Sequence, residues 1–139
     1  MNKITCFLVD DDPDDRDLFG MALKDVDESI ELMHAENCVE ALKILKADDV
    51  KIPDFIFLDL NMPFMNGKEC LDELKKTAHL KDIPVIIYST SSYAKDMEDT
   101  RKKGATHFLS KTSNFDDLIK ILMALFRKEP LPFSLTYRN

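Results

Sequence analysis

Phe55-Ile56-Phe57-Leu58-Asp59-Leu60-Asn61-Met62-Pro63 is the stretch whose reading decides the fold. Four apolar residues in a row, with β-favouring side chains among them, predict a strand buried on both faces, and such strands belong to sheets covered by helices on each side. The acid that follows does not fit inside a core, because burying an unpaired carboxylate is strongly unfavourable. It fits at the mouth of the strand. Asn61, Pro63, Asn66 and Gly67 then form a loop, and open parallel sheets bind ligands beyond the carboxyl ends of their strands. Asp59 is therefore the candidate centre.

Working outward, the same pattern recurs. Thr5-Cys6-Phe7-Leu8-Val9 is a continuous apolar run that ends in Asp10-Asp11-Asp12-Pro13-Asp14-Asp15. Asp12 and Pro13 read as N-cap and first residue of a helix, with Asp14 and Asp15 as solvated acids in its first turn. Leu18, Phe19, Ala22, Leu23 and Val26 follow at helical spacing. Residues 30–35 make a second strand, and Asn37 with Glu40 opens a second helix. After the Asp59 strand, Cys70, Leu71 and Leu74 mark a third helix. Pro84 introduces the strand Val85-Ile86-Ile87-Tyr88, which ends in Ser89-Thr90-Ser91-Ser92. Residues 93–103 form a helix with a thin apolar stripe of Tyr93, Ala94 and Met97, expected to be the least tightly held. Gly104 suits its cap. Residues 106–110 are the fifth strand, with Lys111 just past its end. Asn114 caps a last helix whose apolar set includes Ile121, Met123 and Leu125 in excess of one stripe. Glu129-Pro130-Leu131-Pro132-Phe133 cannot continue it.

Five strand-then-helix units imply a parallel sheet with helices on both faces. At 139 residues, residues 3–128 are read as one domain, with 129–139 as a short extension and no output domain. The composition, 45% hydrophobic and 32% charged, is that of a globular chain, and no apolar run approaches the roughly 20 residues that span a bilayer. The apolar segment after Met1 is too short for a signal peptide, so a cytoplasmic location without membrane contact is expected. Cys6, Cys38 and Cys70 have no metal-ligand spacing and read as reduced packing residues. A net charge of −7 argues against direct nucleic-acid binding.

Asp10 and Asp11, Asp59 and Asn61, Ser89 and Thr90, and Lys111 thus follow four different strands, and in a parallel sheet those ends share one edge. Clustered carboxylates raise one another's pKa unless a hard cation neutralises them, and magnesium is commonly held by carboxylates, waters and a phosphate. Lys111 and Ser89 would serve the oxygens of a phosphoryl group, and a carboxylate can accept that group covalently. Asp59 is the candidate nucleophile.

These residues, in register from about Lys3 to Lys128, resemble the receiver domain of two-component response regulators, of the single-domain, chemotaxis-regulator type. The matching motifs are Phe7-Leu8-Val9-Asp10-Asp11-Asp12, Phe57 to Pro63, Gly67, Pro84 to Ser89, and Gly104-Ala105 through Lys111. The resemblance implies a flavodoxin-like three-layer α/β fold with five parallel strands in the order 2-1-3-4-5 and five helices. It implies a stand-alone signalling domain rather than a turnover enzyme, phosphorylated on Asp59 by a histidine kinase or phosphotransfer protein and acting on a downstream protein target. Asp10, Asp11, Asp59 and the backbone carbonyl of Asn61 would hold Mg2+ or Mn2+. Ser89, Lys111 and Phe108 would bind the phosphoryl group and switch, and Asn61 and Ser91 would modulate hydrolysis. The face made by residues 93–103, 106–110 and the last helix would carry the output and a homodimer. Two departures stand out: Thr112 follows Lys111 where the family has proline, often after a cis bond, and Phe108 replaces the commoner tyrosine. An aspartate-nucleophile phosphohydrolase is the competing enzyme class, but it needs a second acid where this chain has Asn61. A degenerate receiver that only binds is the third.

Overall fold

A computed structural model describes residues 3–91, 93–112 and 114–135, so Ser92 of the hydroxyl cluster and residues 136–139 of the extension lie outside the described residues. The strands are β1 (Thr5–Val9), β2 (Glu31–Ala35), β3 (Phe55–Leu58), β4 (Val85–Ser89), β5 (His107–Ser110) and β6 (Ser134–Leu135). The helices are α1 (Pro13–Val26), α2 (Cys38–Leu45), α3 (Gly67–Lys76), α4 (Ala94–Lys102) and α5 (Phe115–Phe126). The sheet is entirely parallel, in the order β2-β1-β3-β4-β5-β6. The expected order of the first five strands holds; the expected count does not.

The alternation along each central strand divides the core in two. Phe7, Val9, Ile56, Leu58, Val85 and Ile87 face α2 and α3, while Cys6, Leu8, Phe57, Ile86 and Tyr88 face α1 and α5. On the second face Phe19 of α1 packs its ring 4.7 Å from Phe57 and 5.2 Å from Tyr88. All three cysteines are buried and unpaired, as packing residues should be. Among the described residues, no helix is long and apolar enough to cross a membrane.

Helix starts follow local chemistry. The Asp12 carboxylate accepts from the N–H groups of Asp14 and Asp15, with Pro13 at the first helical position. Asn37 and Asn114 cap α2 and α5 in the same way. Asn66 and Glu69 form a reciprocal capping box at α3.

The sixth strand is the main departure from expectation. Beyond α5 the chain returns to the sheet: Phe108 donates its N–H to the Phe133 carbonyl at 2.8 Å, and the His107 ring nitrogen Nδ1 lies 2.8 Å from the Pro132 carbonyl. Phe133 packs on the α2/α3-side core under the Arg101 guanidinium, 5.6 Å from the ring centre, and Leu135 is buried against the other side. A β5 edge left bare would expose unpaired backbone groups, and Ser134 and Leu135 satisfy them. The face expected to serve output and homodimerisation therefore does not end on an open β5; it ends on the chain's own extension. Leu125, expected to be free for a partner, is buried in the core, and Ile121 is half-buried against it.

Helix α4 is held differently from the others. Its single buried residue is Thr100, Met97 packs only partly, and Tyr93, expected on its apolar stripe, is an uncapped helix start that is 74% exposed. Polar bonds replace packing. Lys68 of α3 reaches Asp96 at 2.7 Å and Asp99 at 3.0 Å, and Lys95 adds a 3.2 Å contact to Asp99. Lys68 and Ser91 hold the Asp96 carboxyl below the usual carboxylate range, and Lys68 and Lys95 do the same for Asp99. Stability from carboxyls depressed in this way is fully present above their ordinary pKa and fades only as pH falls through the lower folded values. Replacing Lys68 with alanine should therefore loosen α4 selectively at neutral pH. Amide hydrogen exchange over 94–102 is expected to speed severalfold while β1 and β3 keep their protection.

Candidate functional site

Strand register brings the site together. Val9 pairs with Leu58 across β1 and β3, so the residues that follow, Asp10 and Asp59, emerge side by side at the carboxyl edge. The Asp59 N–H bonds the Val9 carbonyl at 3.0 Å. Ser89 pairs with Ser110 across β4 and β5, and the Lys111 N–H bonds the Ser89 carbonyl at 2.8 Å. Asp10 and Ser89 are fully buried, Asp59 is 5% exposed, and Asp11 faces solvent.

The Lys111 ammonium lies among three carboxylates. Nζ is 2.7 Å from Asp15 Oδ2, 2.8 Å from Asp10 Oδ2 and 3.5 Å from Asp59 Oδ2, and it sits 5.3 Å from the centre of the Tyr88 ring. Burial pulls the lysine's pKa down, but the Asp10 and Asp15 contacts outweigh it and the net direction is upward. Burial raises Asp10, partly offset by Lys111, and raises Asp59 in the same way, with Asp10 adding repulsion. The Tyr88 phenol is pushed up to about 12 by burial.

Asp10 Oδ1 accepts from the Asp12 N–H at 3.0 Å, and Arg16 Nη1 donates to the Asp10 carbonyl at 2.8 Å. Asp10 Oδ2 has the close ion pair with Lys111 but no donor aligned on it, so a buried carboxylate oxygen keeps an unsatisfied lone pair. Carboxylate oxygens of Asp10, Asp11 and Asp59 lie within 4.8 Å of one another. Oxygen donors so close, one of them solvent-facing and another unsatisfied, suit a hard divalent cation. Replacing Asp10 with asparagine should therefore weaken any stabilisation by divalent cations. The wild type is expected to gain Tm in a millimolar divalent cation, and the variant to gain at most half as much.

The remaining expected residues are arranged around this centre. The Asn61 N–H approaches Asp59 Oδ1 at 3.4 Å. The Ser89 hydroxyl accepts from the Ser91 N–H at 3.2 Å, and the Ser91 hydroxyl donates to Asp96 at 2.5 Å, tying the strand end to the α4 ion pairs. Asn61, Thr90, Ser91, Tyr93 and Asp96 line one groove. Phe108 is fully buried, on the inner side of the Phe133 contact. The Lys111-Thr112 peptide is trans, since among the described residues no peptide bond is cis, and the lysine still reaches the acids. Asp15, expected to be a solvated capping acid, is instead a direct partner of Lys111. Gly67 is required by close approach. A Cβ there would stand 2.4 Å from the Asp59 carbonyl oxygen and 2.6 Å from Leu60 Cα.

A parallel doubly wound domain with a buried aspartate, two further acids, a hydroxyl and a lysine at its strand ends is a flavodoxin-like α/β domain with an aspartate-centred site. Residues 6–123 match the family model described as response regulator receiver domain, and the chain belongs to that family, a component of two-component signalling. It is 32% identical over 118 residues to the nitrate/nitrite response regulator protein NarL of Escherichia coli, covering 85% of this chain and 52% of that protein. It is 36% identical over 73 residues to response regulator Rcp1 of Synechocystis, covering 52% of this chain and 50% of that one. The chain thus spans about half the length of these curated relatives. Among solved structures, the phosphorylated cyanobacterial phytochrome response regulator RcpA superposes with a TM-score of 0.80 at 29% identity, over 89% of this chain and 91% of that one. The Mn(2+)-bound form of Rcp1 superposes with a TM-score of 0.78 at 29% identity, over 94% and 98%.

Proposed function

We propose that this chain is a receiver that accepts a phosphoryl group on Asp59, in a reaction dependent on Mg2+, from a histidine kinase or phosphotransfer protein. The observation that carries the reading is the convergence of Asp10, Asp11, Asp59 and Lys111 from three strand ends. A carboxylate oxygen of Asp59 attacks phosphorus, the bond from phosphorus to the donor's imidazole nitrogen breaks, and that nitrogen keeps the electron pair. The product is an acyl phosphate, later hydrolysed by water. A divalent cation bound there would neutralise charge on the phosphoryl oxygens. Asp10, Asp11, Asp59 and the Asn61 carbonyl are the groups to hold it, and Lys111 and Ser89 would hold the remaining phosphoryl oxygens. Asn61 and Ser91 flank the approach of water and would set the lifetime. The RcpA structure is of a phosphorylated regulator and the Rcp1 structure holds Mn2+, which supports carrying both features to this site.

The signal would pass as a population shift: Ser89 leaves the Ser91 N–H for the phosphoryl group, the β4–α4 loop follows, and α4 moves on its ion pairs. Phe108 is already buried, so in this chain the change reaches the surface mainly through α4 and the Phe133 contact. The face offered to a protein target comprises α4, α5 and the outer side of residues 131–135. A homodimer would have to use that covered face. Incubation with acetyl phosphate is expected to give hydroxylamine-labile incorporation only when Mg2+ is present. No incorporation at any metal concentration would sink the reading.

A further inference from the structure

The proposed function leaves one problem of charge. Lys111 and a divalent cation need the same two carboxylates, because Nζ lies 2.8 Å from Asp10 Oδ2 and 3.5 Å from Asp59 Oδ2. With its side chain only 10% exposed, Lys111 cannot withdraw into water when a cation takes those oxygens. An ammonium so enclosed needs another anion.

Asp15 is that anion. Its Oδ2 makes the shortest of the three contacts to Nζ, 2.7 Å, and its side chain is 31% exposed, so its charge remains partly solvated. Asp15 stands at the third position of α1, where an acid commonly turns back to the helix start. Here the Asp12 N–H that such an acid would accept from already donates to Asp10 Oδ1 at 3.0 Å, which leaves the Asp15 side chain available for the lysine. The contact joins residues 96 apart in the chain, and it forms with a trans peptide after Lys111 and threonine at position 112.

We propose that Asp15 is a positioning residue for this site: it holds Lys111 while Asp10 and Asp59 turn to a divalent cation, so that lysine and cation occupy the site together. The inference rests on the proposed metal-dependent function. Without Asp15, Lys111 must stay on Asp10 and Asp59 and compete with the cation.

The test is a double-mutant cycle on the full chain, reading Mg2+ affinity by calorimetric titration for the wild type, Asp15→Asn, Lys111→Met and the double variant. Asp15→Asn should weaken Mg2+ binding about tenfold, a coupling within the usual range for contacting residues. In the Lys111→Met background the same substitution should change affinity less than twofold, because the competitor is gone. Equal weakening in both backgrounds would show that Asp15 acts as a general negative charge or as a ligand, and would overturn the inference. So would no effect of Asp15→Asn on its own. A wild type that binds no Mg2+ would overturn the reading of the site itself, and the inference with it. Circular dichroism and Tm of each variant establish that the comparison is between folded proteins.

Discussion

Asp59→Asn is expected to abolish phosphoryl incorporation and, at the same time, to raise the Tm of the metal-free protein. The first effect follows from chemistry: an amide nitrogen or oxygen does not form the acyl phosphate, and no other carboxylate shares Asp59's place between Asp10 and the Ser89 strand end. The second follows from electrostatics. Burial and the neighbouring Asp10 raise the Asp59 carboxyl, with Lys111 offsetting only part of this. A carboxyl raised in the folded state favours the fold when protonated, and its contribution is lost as pH rises from the ordinary carboxylate value through the higher folded one. At neutral pH, above the ordinary carboxylate value, that cost bears on the fold, and asparagine removes it. The substitution does not strand the lysine, because Asp10 and Asp15 remain at 2.8 and 2.7 Å. For a chain of this length each kcal/mol relieved corresponds to about 3–5 °C in Tm. The gap between variant and wild type should narrow as pH falls toward the ordinary carboxylate range. Thermal denaturation from pH 7 downward, with hydroxylamine-sensitive labelling in parallel, checks both effects. An unchanged or lowered Tm at neutral pH would mean that the acidic cluster is relaxed rather than strained.

The same tension explains how much of the site was legible in the sequence. A functional site that works against stability leaves a local mark: a polar residue where the strand pattern calls for an apolar one. Asp10 and Asp59 carry that mark, since each ends a continuous apolar run, and Lys111 gains meaning from them. Asp15 carries no such mark, because an acid in the first turn of a helix is ordinary and its partner lies 96 residues away. The extension carries a strand pattern, because Phe133-Ser134-Leu135-Thr136-Tyr137 alternates apolar and polar residues, but nothing in that pattern says which edge it joins; the open edge of β5 takes Ser134 and Leu135 as a strand. Residues 93–103 read correctly as a thinly packed helix, but spacing alone put Tyr93 on the buried side, whereas the helix starts after it and the ring faces water. The capping box of Asn66 and Glu69 is written in the sequence as Asn followed three residues later by Glu, at the same place where Asn66-Gly67 suits a turn.

Gly67→Ala should be the most damaging single-methyl change in the chain, and Gly20→Ala sets its scale. Gly20 stands inside α1, where alanine is ordinarily favoured by about 1 kcal/mol, and Gly67 is the first residue of α3. At Gly20 the added methyl meets only Leu32 Cδ2 at 3.5 Å, an ordinary contact, so a small gain in Tm is expected. At Gly67 it would stand 2.4 Å from the Asp59 carbonyl oxygen and 2.6 Å from Leu60 Cα, and the obstructing atoms are backbone. Neither can rotate away. The Gly67 N–H also bonds the Leu60 carbonyl at 2.9 Å, so α3 and the segment after Asp59 are fastened at the point where they would have to separate. Overpacking of this kind typically costs 1–3 kcal/mol, a Tm loss of about 10 °C at the upper end for this length. The displacement would fall on Asp59 itself. A shift near 1 Å in a reacting group can cost about a hundredfold in rate, so labelling by acetyl phosphate should fall far more than stability does. Measured well below the variant's Tm, where the folded fraction is complete, a near-wild-type labelling rate would show that the loop absorbs the methyl without moving the aspartate.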